Sequence, residues 1–373
     1  MKSKVVSILL AVTLVVTILG GCGNDNNSDV TTGANNDTTT ASVETPVVAD
    51  SGELPILGAS IYSAADNFNS YIGKNIANAA EGIFTTNIED AQNDQSTQNN
   101  QVDTMLAKGA KAICLSIVDT TAAQTILDKA VDAGNIPVIF FNKEITDEEV
   151  MKSYDNAFFV GTSAADSGTM QGEMVVQAWN DNPDFDKNGD GVLQIVNLMG
   201  DPGHTASSPR AEYVKKAIED AGLEYELLAE DTAMWVTATA TDKMDAWISK
   251  YGDEIEFIIA ANDAMALGAL ASIQNAGFNT DGVTSEKYIP IVGIDALPEM
   301  LSKIETGEVI GSVLQDPKAQ GEAVVVMAKN LVEGKDAMEG LELTIDELKA
   351  VRIPYQKITN ENLEIAEEIY SME

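Results

Sequence analysis

The chain has 373 residues, a formal net charge of −37 at pH 7 and only two cysteines. Its length allows two compact domains, each with its own core. The charge argues against nucleic-acid binding, because phosphates require clusters of basic residues, and it also argues against adsorption to anionic lipid.

The first 22 residues are predicted to be a signal peptide. Lys2 and Lys4 precede an apolar stretch over residues 5–19, which is shorter than the roughly 20 residues that span a membrane. The segment that follows, Leu19-Gly-Gly-Cys22, resembles the lipobox of bacterial lipoproteins. This resemblance implies that Cys22 becomes the lipidated first residue, and an ordinary signal peptide with a chance cysteine is the alternative.

Residues 23–53 are predicted to form a disordered tether. They are rich in Asn, Thr, Asp and Ser, show no hydrophobic periodicity and cannot bury enough apolar surface to order themselves. The second cysteine, Cys114, lies in an apolar run and is predicted to be an unreactive core thiol. With Cys22 lipidated, no internal disulfide is possible.

Beyond the tether, apolar runs of strand length alternate with amphipathic stretches of helical period. This alternation is typical of parallel βαβ units and predicts an α/β fold with two halves, over residues 54–160 and 163–316. In such sheets, ligands bind outside the carboxyl ends of the strands. The runs cover residues 56–61, 137–141, 192–199, 256–261, 289–294 and 309–314.

Polar side chains follow these runs and are the candidate ligand-binding residues. Short planar groups can pair with adjacent hydroxyls of a sugar, and Arg210 can offer forked hydrogen bonds. Capping of the next helix is the competing explanation for each Asp or Asn, but several at one edge favour a shared ligand. His204 is the only histidine, and a lone histidine in such a loop is more often incidental than functional. The strand-end residues are Asp66, Asn142, Asn262, Asp295 and Gln315.

Trp235 is the aromatic residue most strongly indicated as a ligand platform. We expect it at the start of a helix, about 180° away from Met244 and therefore off the buried stripe. Trp247 falls on that stripe and is predicted to be core. Phe68 is ambiguous, because it lies four residues before Ile72 and so on the buried face of its own helix.

Residues 186–194 have the spacing of an EF-hand calcium loop. Oxygen ligands occupy loop positions one, three, five, seven (a main-chain carbonyl) and nine, and Gly191 fills position six, where the backbone must turn sharply. The twelfth position is Asn197, within an apolar run, so a bidentate carboxylate must come from elsewhere. A surface turn rich in Asp, Asn and Gly is the alternative. The proposed ligands in the loop are Asp186, Asn188, Asp190, Val192 and Gln194.

No catalytic set emerges from the sequence. It contains neither a nucleophile-elbow signature nor a phosphate-binding loop, and nothing selects one carboxylate pair for glycoside hydrolysis from its 59 acids. The chain is therefore predicted not to be an enzyme, with an extracellular glycosidase as a remote alternative.

Several stretches together resemble the galactose/glucose-binding proteins of bacterial ABC transport and chemotaxis systems. The resemblance extends from about residue 54 to residue 363 and is highly specific. Its most literal stretches are residues 91–96, residues 106–109, Phe140-Phe-Asn-Lys-Glu144, Pro202-Gly-His204, Asp231-Thr-Ala-Met-Trp235, Lys243-Met-Asp-Ala-Trp247, Asn262-Asp-Ala-Met265 and Val292-Gly-Ile-Asp-Ala-Leu-Pro-Glu299.

The resemblance implies a type I periplasmic-binding-protein fold, with two doubly wound parallel-sheet lobes joined by three hinge crossings. The N-terminal lobe is expected over residues 54–160 and 318–350, and the C-terminal lobe over residues 163–316 and 351–368. The resemblance further implies that a pyranose is held between two aromatic side chains and is surrounded by polar residues. It also implies that Glu256 supplies the carboxylate ligand that the calcium loop lacks. The implied sugar-binding residues are Asp66, Phe68, Asn142, His204, Arg210, Trp235, Asn262 and Asp295.

Two positions depart from the family pattern. The family has an aspartate where this chain has Ala206, and an asparagine where it has Gln315. Loss of one charged acceptor costs around 1.5–3 kcal/mol unless another group replaces it. The selectivity between galactose and glucose is therefore expected to differ from the family's.

These observations predict a lipid-anchored, extracytoplasmic and monomeric receptor stabilised by Ca²⁺. It is expected to capture a hexose, D-galactose and/or D-glucose, by hinge closure and to deliver it to an ABC permease. A receptor that signals to a chemoreceptor or a sensor kinase is the alternative, since its binding chemistry would be the same.

Overall fold

The computed structural model describes residues 53–285 and 287–371. The predicted signal peptide, Cys22 and nearly all of the predicted tether lie outside these residues. The described residues form thirteen strands and eleven α-helices. The strands are β1 (Ile56–Ile61), β2 (Thr85–Asp90), β3 (Ala112–Leu115), β4 (Val138–Phe141), β5 (Ala157–Gly161), β6 (Leu193–Met199), β7 (Tyr225–Thr232), β8 (Phe257–Ala260), β9 (Thr280–Val283), β10 (Ile291–Asp295), β11 (Gly311–Leu314), β12 (Ala350–Arg352) and β13 (Gln356–Ile358).

The helices follow the strands in the order that parallel βαβ units require. They are α1 (Asn67–Ala79), α2 (Gln95–Ala107), α3 (Ala123–Asp132), α4 (Glu148–Lys152), α5 (Ala164–Asp181), α6 (Ser207–Asp220), α7 (Thr237–Tyr251), α8 (Asp263–Asn275), α9 (Pro298–Glu305), α10 (Pro317–Val332) and α11 (Leu363–Tyr370). Among the described residues, no helix combines the length and apolar character that a membrane crossing requires.

The strands form two six-stranded sheets, one in each lobe. Their orders are β12-β5-β4-β3-β1-β2 and β13-β11-β10-β8-β6-β7, and all neighbours are parallel except β13 with β11. The predicted α/β fold with two doubly wound lobes is confirmed.

Each sheet is covered on both faces, which explains why its inner strands are continuous apolar runs. Successive side chains of a strand point to opposite faces. In β4, Ile139 and Phe140 therefore belong to two different core clusters, and in β8 the same holds for Ile258 and Ile259. Cys114 in β3 is a free, fully buried thiol, and burial raises its pKa above the ordinary value.

The chain crosses between the lobes three times, as predicted: after β5, before α10 and after β12. The predicted position of the third crossing needs a correction. β12 pairs in parallel with β5, with Val351 opposite Val160, so Val351 and Arg352 belong to the first sheet. The boundary predicted between residues 350 and 351 thus falls inside β12, because the strand continues the ladder to Arg352 before the chain leaves.

Candidate functional site

The side chains predicted to bind a ligand line a single cavity between the lobes. Its empty space, counted together with the solvent at its open mouth, is about 280 Å³. The lining consists of Asp66, Phe68, Asn142, His204, Arg210, Trp235, Asn262, Asp295 and Gln315, all predicted, together with Tyr62.

Capping and cavity lining turn out to be compatible at two positions. Asp66 caps α1 by accepting a hydrogen bond from the Asn69 N–H at 2.8 Å, and Asn262 caps α8 through the Met265 N–H at 2.9 Å. Each of these side chains has a second polar atom beyond its capping oxygen, so a capping residue can also face a ligand. The caps of α4 and α9 are Asp147 and Leu297, not Asn142 or Asp295.

Three lining residues have left-handed backbone conformations. The φ angles are 63° at Asn142, 65° at Trp235 and 120° at Asp295. Non-glycine residues adopt such angles at a cost of about 1–3 kcal/mol each, and they persist only where the surrounding structure enforces them. The fold therefore accepts backbone strain in order to aim these side chains.

Trp235 is not part of a helix, so the helical-wheel argument for it is wrong. α7 begins at Thr237, and Trp235 sits in the loop after β7, where its left-handed backbone turns the indole toward the second sheet. A Cβ at Gly200 would lie 2.0 Å from the indole ring, so only glycine allows this approach. The indole Nε1–H is buried and has no acceptor among the described residues.

The second aromatic, Phe68, serves the core and the cavity at once. It lies in the first turn of α1, belongs to the core of the first lobe and is 5% exposed. It also lines the cavity. A residue at the start of this helix borders the end of the sheet. Phe68 can therefore pack in the core and also contact a ligand in the cavity.

The guanidinium of Arg210 is held by hydrogen bonds from its two terminal nitrogens, whereas its Nε–H has no partner in the part of the chain that the structure describes. Nη1 donates to the Ala261 carbonyl at 2.7 Å, and Nη2 donates to Gln315 Oε1 at 2.6 Å and to the Tyr355 hydroxyl at 3.1 Å. The buried Nε–H has no acceptor among the described residues. Burial alone would lower the pKa of Arg210, but Tyr355 and Asp295 offset it, so the guanidinium stays charged.

Burial in and beneath the cavity disfavours the charged form of several acidic side chains. Burial raises the pKa of Asp295 well above its ordinary value, although Arg210 opposes this. Burial also raises the pKa of Asp66, whose carboxylate accepts the Tyr62 hydroxyl. Under the cavity, Asp263 accepts the Ser312 hydroxyl at 2.6 Å, and burial raises its pKa too. A hydroxyl that donates a hydrogen bond to such a buried carboxylate stabilises its charged form.

His204 joins the lobes as a neutral imidazole. Burial, with Lys143 and Arg210 nearby, lowers its pKa well below the ordinary value. Nδ1 accepts the Ala206 N–H at 3.1 Å, so the ring proton is on Nε2, which lies 3.4 Å from Asn142 Oδ1. Asn142 follows β4 of the first lobe, and His204 follows β6 of the second. The lobes thus meet across the cavity.

The predicted calcium loop has the expected turn. Gly191 has φ +75°, the left-handed angle that the sharp turn at position six requires. The Asp186 carboxylate accepts the N–H groups of Gly189, Asp190 and Gly191 at 2.7–3.2 Å, which folds the loop around that carboxylate.

The side chains of the loop gather beside Glu256. Its carboxylate accepts the N–H groups of Lys187 and Gln194 at 2.7 and 3.1 Å, and burial raises its pKa, with Asp186 adding to the effect. The amides of Asn188 and Gln194 lie 3.0 and 3.2 Å from Asp190 Oδ2. A 180° turn of each amide replaces its nitrogen by an oxygen ligand. This oxygen-rich set fits a hard cation.

The set depends on its amide and carbonyl oxygens. Within residues 53–285 and 287–371, His, Cys, Asp and Glu side chains alone form no group of three or more arranged to hold a metal. Ca²⁺ accepts such mixed oxygen ligands, whereas zinc prefers nitrogen and sulfur.

The fold agrees with comparisons to known proteins. The profile of the periplasmic binding protein domain family matches residues 57–336. The chain belongs to this family.

Known relatives and solved structures are similar to this chain along most of its length. The D-galactose/methyl-galactoside binding periplasmic protein of Haemophilus influenzae is 43% identical over 310 residues, which cover 82% of this chain and 90% of that protein. The xylitol-binding protein of Mycolicibacterium smegmatis is 30% identical over 269 residues, 70% of each chain. A crystal structure of an ABC transporter solute binding protein of Bacillus halodurans with bound myo-inositol has a TM-score of 0.70, 30% identity and coverage of 85% and 99%.

Sequence reasoning missed two residues of this family member's cavity region. Tyr62 lines the cavity and donates to Asp66, and Lys143 lies 5.0 Å above the Tyr62 ring while donating to the Val118 carbonyl at 2.6 Å. Both follow strand ends directly, Tyr62 after β1 and Lys143 two residues after β4. The strand-end signal that selects Asp66 and Asn142 applies to them as well.

Proposed function

We propose that this protein captures a hexose, D-galactose and/or D-glucose, outside the cytoplasm and delivers it to an ABC permease. The observation that carries this proposal is the interlobe cavity, which combines two aromatic rings with converging carboxylates, amides and an arginine. The similarity to the galactose-binding relative supports the choice of sugar.

The aromatic and the polar residues of the cavity would contact different parts of a pyranose ring. Phe68 and Trp235 cover its two C–H faces, which are the apolar part of a sugar. The Asp66 and Asp295 carboxylates accept hydrogen bonds from hydroxyls, and the Arg210 Nε–H donates one. The Arg210 Nε–H is buried and has no acceptor among the described residues, so a sugar hydroxyl that accepts from it replaces a missing partner.

Hinge closure couples capture to lobe movement. Asp66, Phe68 and Asn142 belong to the first lobe, whereas His204, Arg210 and Trp235 belong to the second. The full set of partners exists only when the lobes meet, so the sugar binds the closed state more tightly and shifts the hinge equilibrium toward it.

Calorimetry with galactose, glucose, ribose and xylose tests this function. We expect heat and a saturable 1:1 isotherm with at least one of the two hexoses, and weaker binding of the pentoses, which leave part of the cavity without partners. Absence of heat with every hexose would end the sugar proposal.

We also propose that Ca²⁺ is bound in the second lobe by Asp186, Asn188, Asp190, Gln194 and Glu256, with the Val192 carbonyl as a further ligand. The cation would supply positive charge to three carboxylates, of which Glu256 is buried, and so stabilise the lobe. The gathering of these side chains beside Glu256 supports the proposal. No catalytic role is assigned to it.

Cys22 is proposed to carry a lipid anchor, which would hold the receptor, as a monomer, at the outer side of the cell membrane. The partner is proposed to be an ABC sugar permease. The alternative partner of the closed, sugar-loaded receptor is a chemoreceptor or a sensor kinase. Co-purification in detergent distinguishes these partners. We expect the permease to co-purify with the sugar-loaded receptor, and the chemoreceptor and the sensor kinase not to.

A further inference from the structure

The C-terminal helix α11 packs on the core of the second lobe. It follows β13, the edge strand that pairs with β11, and its residues Ala366 and Tyr370 belong to the core cluster of that lobe. Tyr370 is the last residue of the helix and is 8% exposed. A buried tyrosine usually finds a hydrogen-bond partner for its hydroxyl. The partner of Tyr370 therefore determines what the end of α11 can hold in place.

Tyr370 holds the turn that carries Asp295. Its hydroxyl donates to the main-chain carbonyl of Asp295 at 2.8 Å. The N–H groups of the next two residues of this turn donate to Ser312 Oγ at 3.1 Å and to the Asp263 carboxylate at 2.8 Å. The φ angles are 120° at Asp295 and 53° at the following residue, and non-glycine residues keep such angles only where their surroundings enforce them. The Tyr370 hydroxyl is thus one of three hydrogen-bond partners that fix the backbone from which the Asp295 side chain projects.

Tyr370 also contacts the opposite lobe. Its ring meets the ring of Tyr71 edge to face, with 4.8 Å between the ring centroids and 79° between the planes. Tyr71 lies on α1, whose Ile72 and Ile76 are buried in the core of the first lobe, yet its own ring packs against the core of the second. Lys74 Nζ lies 4.8 Å from the centroid of the Tyr71 ring. Because edge-to-face pairs are attractive beyond the area that they bury, this contact favours the state in which the lobes meet.

The tyrosine pair is connected to the cavity in both lobes. In the first lobe, Tyr71 lies three residues after Phe68 on the same helix, and in the second, Tyr370 is bonded to the backbone of Asp295. We propose that Tyr370 is a positioning residue of the hexose site, which orients Asp295 toward the sugar, and that its contact with Tyr71 stabilises the closed state. This inference rests on the proposed hexose function and deepens it, because both tyrosines lie outside the lining of the cavity and act through residues that line it.

Calorimetry of the full chain with D-galactose and D-glucose tests the positioning role through Tyr370→Phe. This variant keeps the ring contact with Tyr71 and removes the donor to the Asp295 carbonyl, so the Kd for the bound hexose should rise roughly fivefold or more. Tyr154→Phe is the matched control. Tyr154 is 6% exposed, and its hydroxyl donates to the Ile136 carbonyl at 3.0 Å, at the amino ends of β4 and β5 and so away from the cavity.

The control separates positioning from a general loss of stability. Both phenylalanine variants remove one buried hydroxyl and should lower the melting temperature by similar amounts, but Tyr154→Phe should keep the Kd within about twofold. An unchanged Kd in Tyr370→Phe, or an equal rise in both variants, would overturn the positioning role while the hexose function stands. No heat with either hexose in the unaltered protein would overturn the hexose function and this inference with it.

Tyr71→Ala tests the contact between the lobes. Tyr71 is only partly buried, so the variant should fold, and loss of the ring pair should raise the Kd roughly threefold to tenfold. Most of this change should appear as faster dissociation of the sugar, followed by tryptophan fluorescence in stopped flow, because the contact holds the lobes together around the bound ligand. Tyr71→Phe keeps the ring and should keep the Kd within about twofold. An unchanged dissociation rate in Tyr71→Ala, or an equal loss of affinity in Tyr71→Phe, would overturn the role of the ring contact.

Discussion

Replacement of Trp235 by alanine tests the binding site at a half-buried indole that packs against the core of the second lobe from outside. If the indole covers one face of the sugar, it buries roughly 100 Å² of the 150–250 Å² that a buried aromatic side chain provides. At about 25 cal/mol per Å², its loss costs about 2.5 kcal/mol of binding free energy, or about 70-fold in Kd. Calorimetry measures the change directly. An unchanged Kd would show that Trp235 does not cover the ligand.

The same position predicts an unusual stability profile. Trp235 is half-buried and outside α7, so its replacement by alanine should lower the free energy of unfolding by about 1 kcal/mol or less. Trp235→Gly should be more stable than Trp235→Ala by roughly 1 kcal/mol, because glycine tolerates φ +65°. Both should bind sugar equally poorly.

Trp247→Ala is the matched control for these variants. Trp247 lies on α7 and packs against the core of the second lobe. Its loss should lower the melting temperature by several degrees through the cavity it leaves, and the Kd for sugar should stay within about twofold. A large loss of affinity in Trp247→Ala with none in Trp235→Ala would reverse the assignment of the two tryptophans.

Three further changes have defined outcomes. A chelator should lower the melting temperature by about 5–10 °C relative to the protein in saturating Ca²⁺, and Asp190→Asn should remove most of that difference; an unaltered melt would contradict the calcium site. Asp295→Asn should raise the melting temperature at pH 7 and weaken sugar binding at least roughly tenfold. Because burial raises the folded pKa of Asp295, the carboxylate costs stability only above its unfolded pKa of about 3.9, so the stability gain of the variant should fade as the pH drops toward 4; a gain that persists at pH 4 would refute this. Cys22→Ser should release the protein from the membrane fraction, as fractionation would show; continued retention would exclude the lipid anchor.

The strand-end rule accounts for most of what the sequence could predict about the cavity. Apolar runs indicate strands through composition alone, and parallel strands place their carboxyl ends at one edge. This rule selects Asp66, Asn142, Asn262 and Asp295, and the structure brings all four into one cavity. Tyr62 and Lys143 obey the same rule, but they resemble ordinary core or surface residues until their contacts are known.

Other features depend on tertiary context that no local pattern carries. The sequence pattern assigns Trp235 to a helix, because nothing local in its segment marks a left-handed backbone. The end of β12 is set by pairing with β5, a partner almost 200 residues earlier. Buried Asp263 looks like an ordinary first-turn acid, and only the fold shows that it also accepts hydrogen bonds from Ser312 and Leu297.

Several features of the cavity are unfavourable to the stability of the fold. Left-handed backbone at Asn142, Trp235 and Asp295, and buried donors without acceptors, such as the Arg210 Nε–H, each cost free energy in the absence of a ligand. A ligand that pairs with these groups offsets the unpaired donors, and its binding adds stability as RT ln(1 + [L]/Kd), about 2.7 kcal/mol at 100 times Kd. Because residues of both lobes contribute, that free energy acts on the hinge rather than within one lobe. We therefore expect the lobes to gain most from meeting when a hydroxylated ring lies between them, because the ring supplies the partners that the buried donors lack.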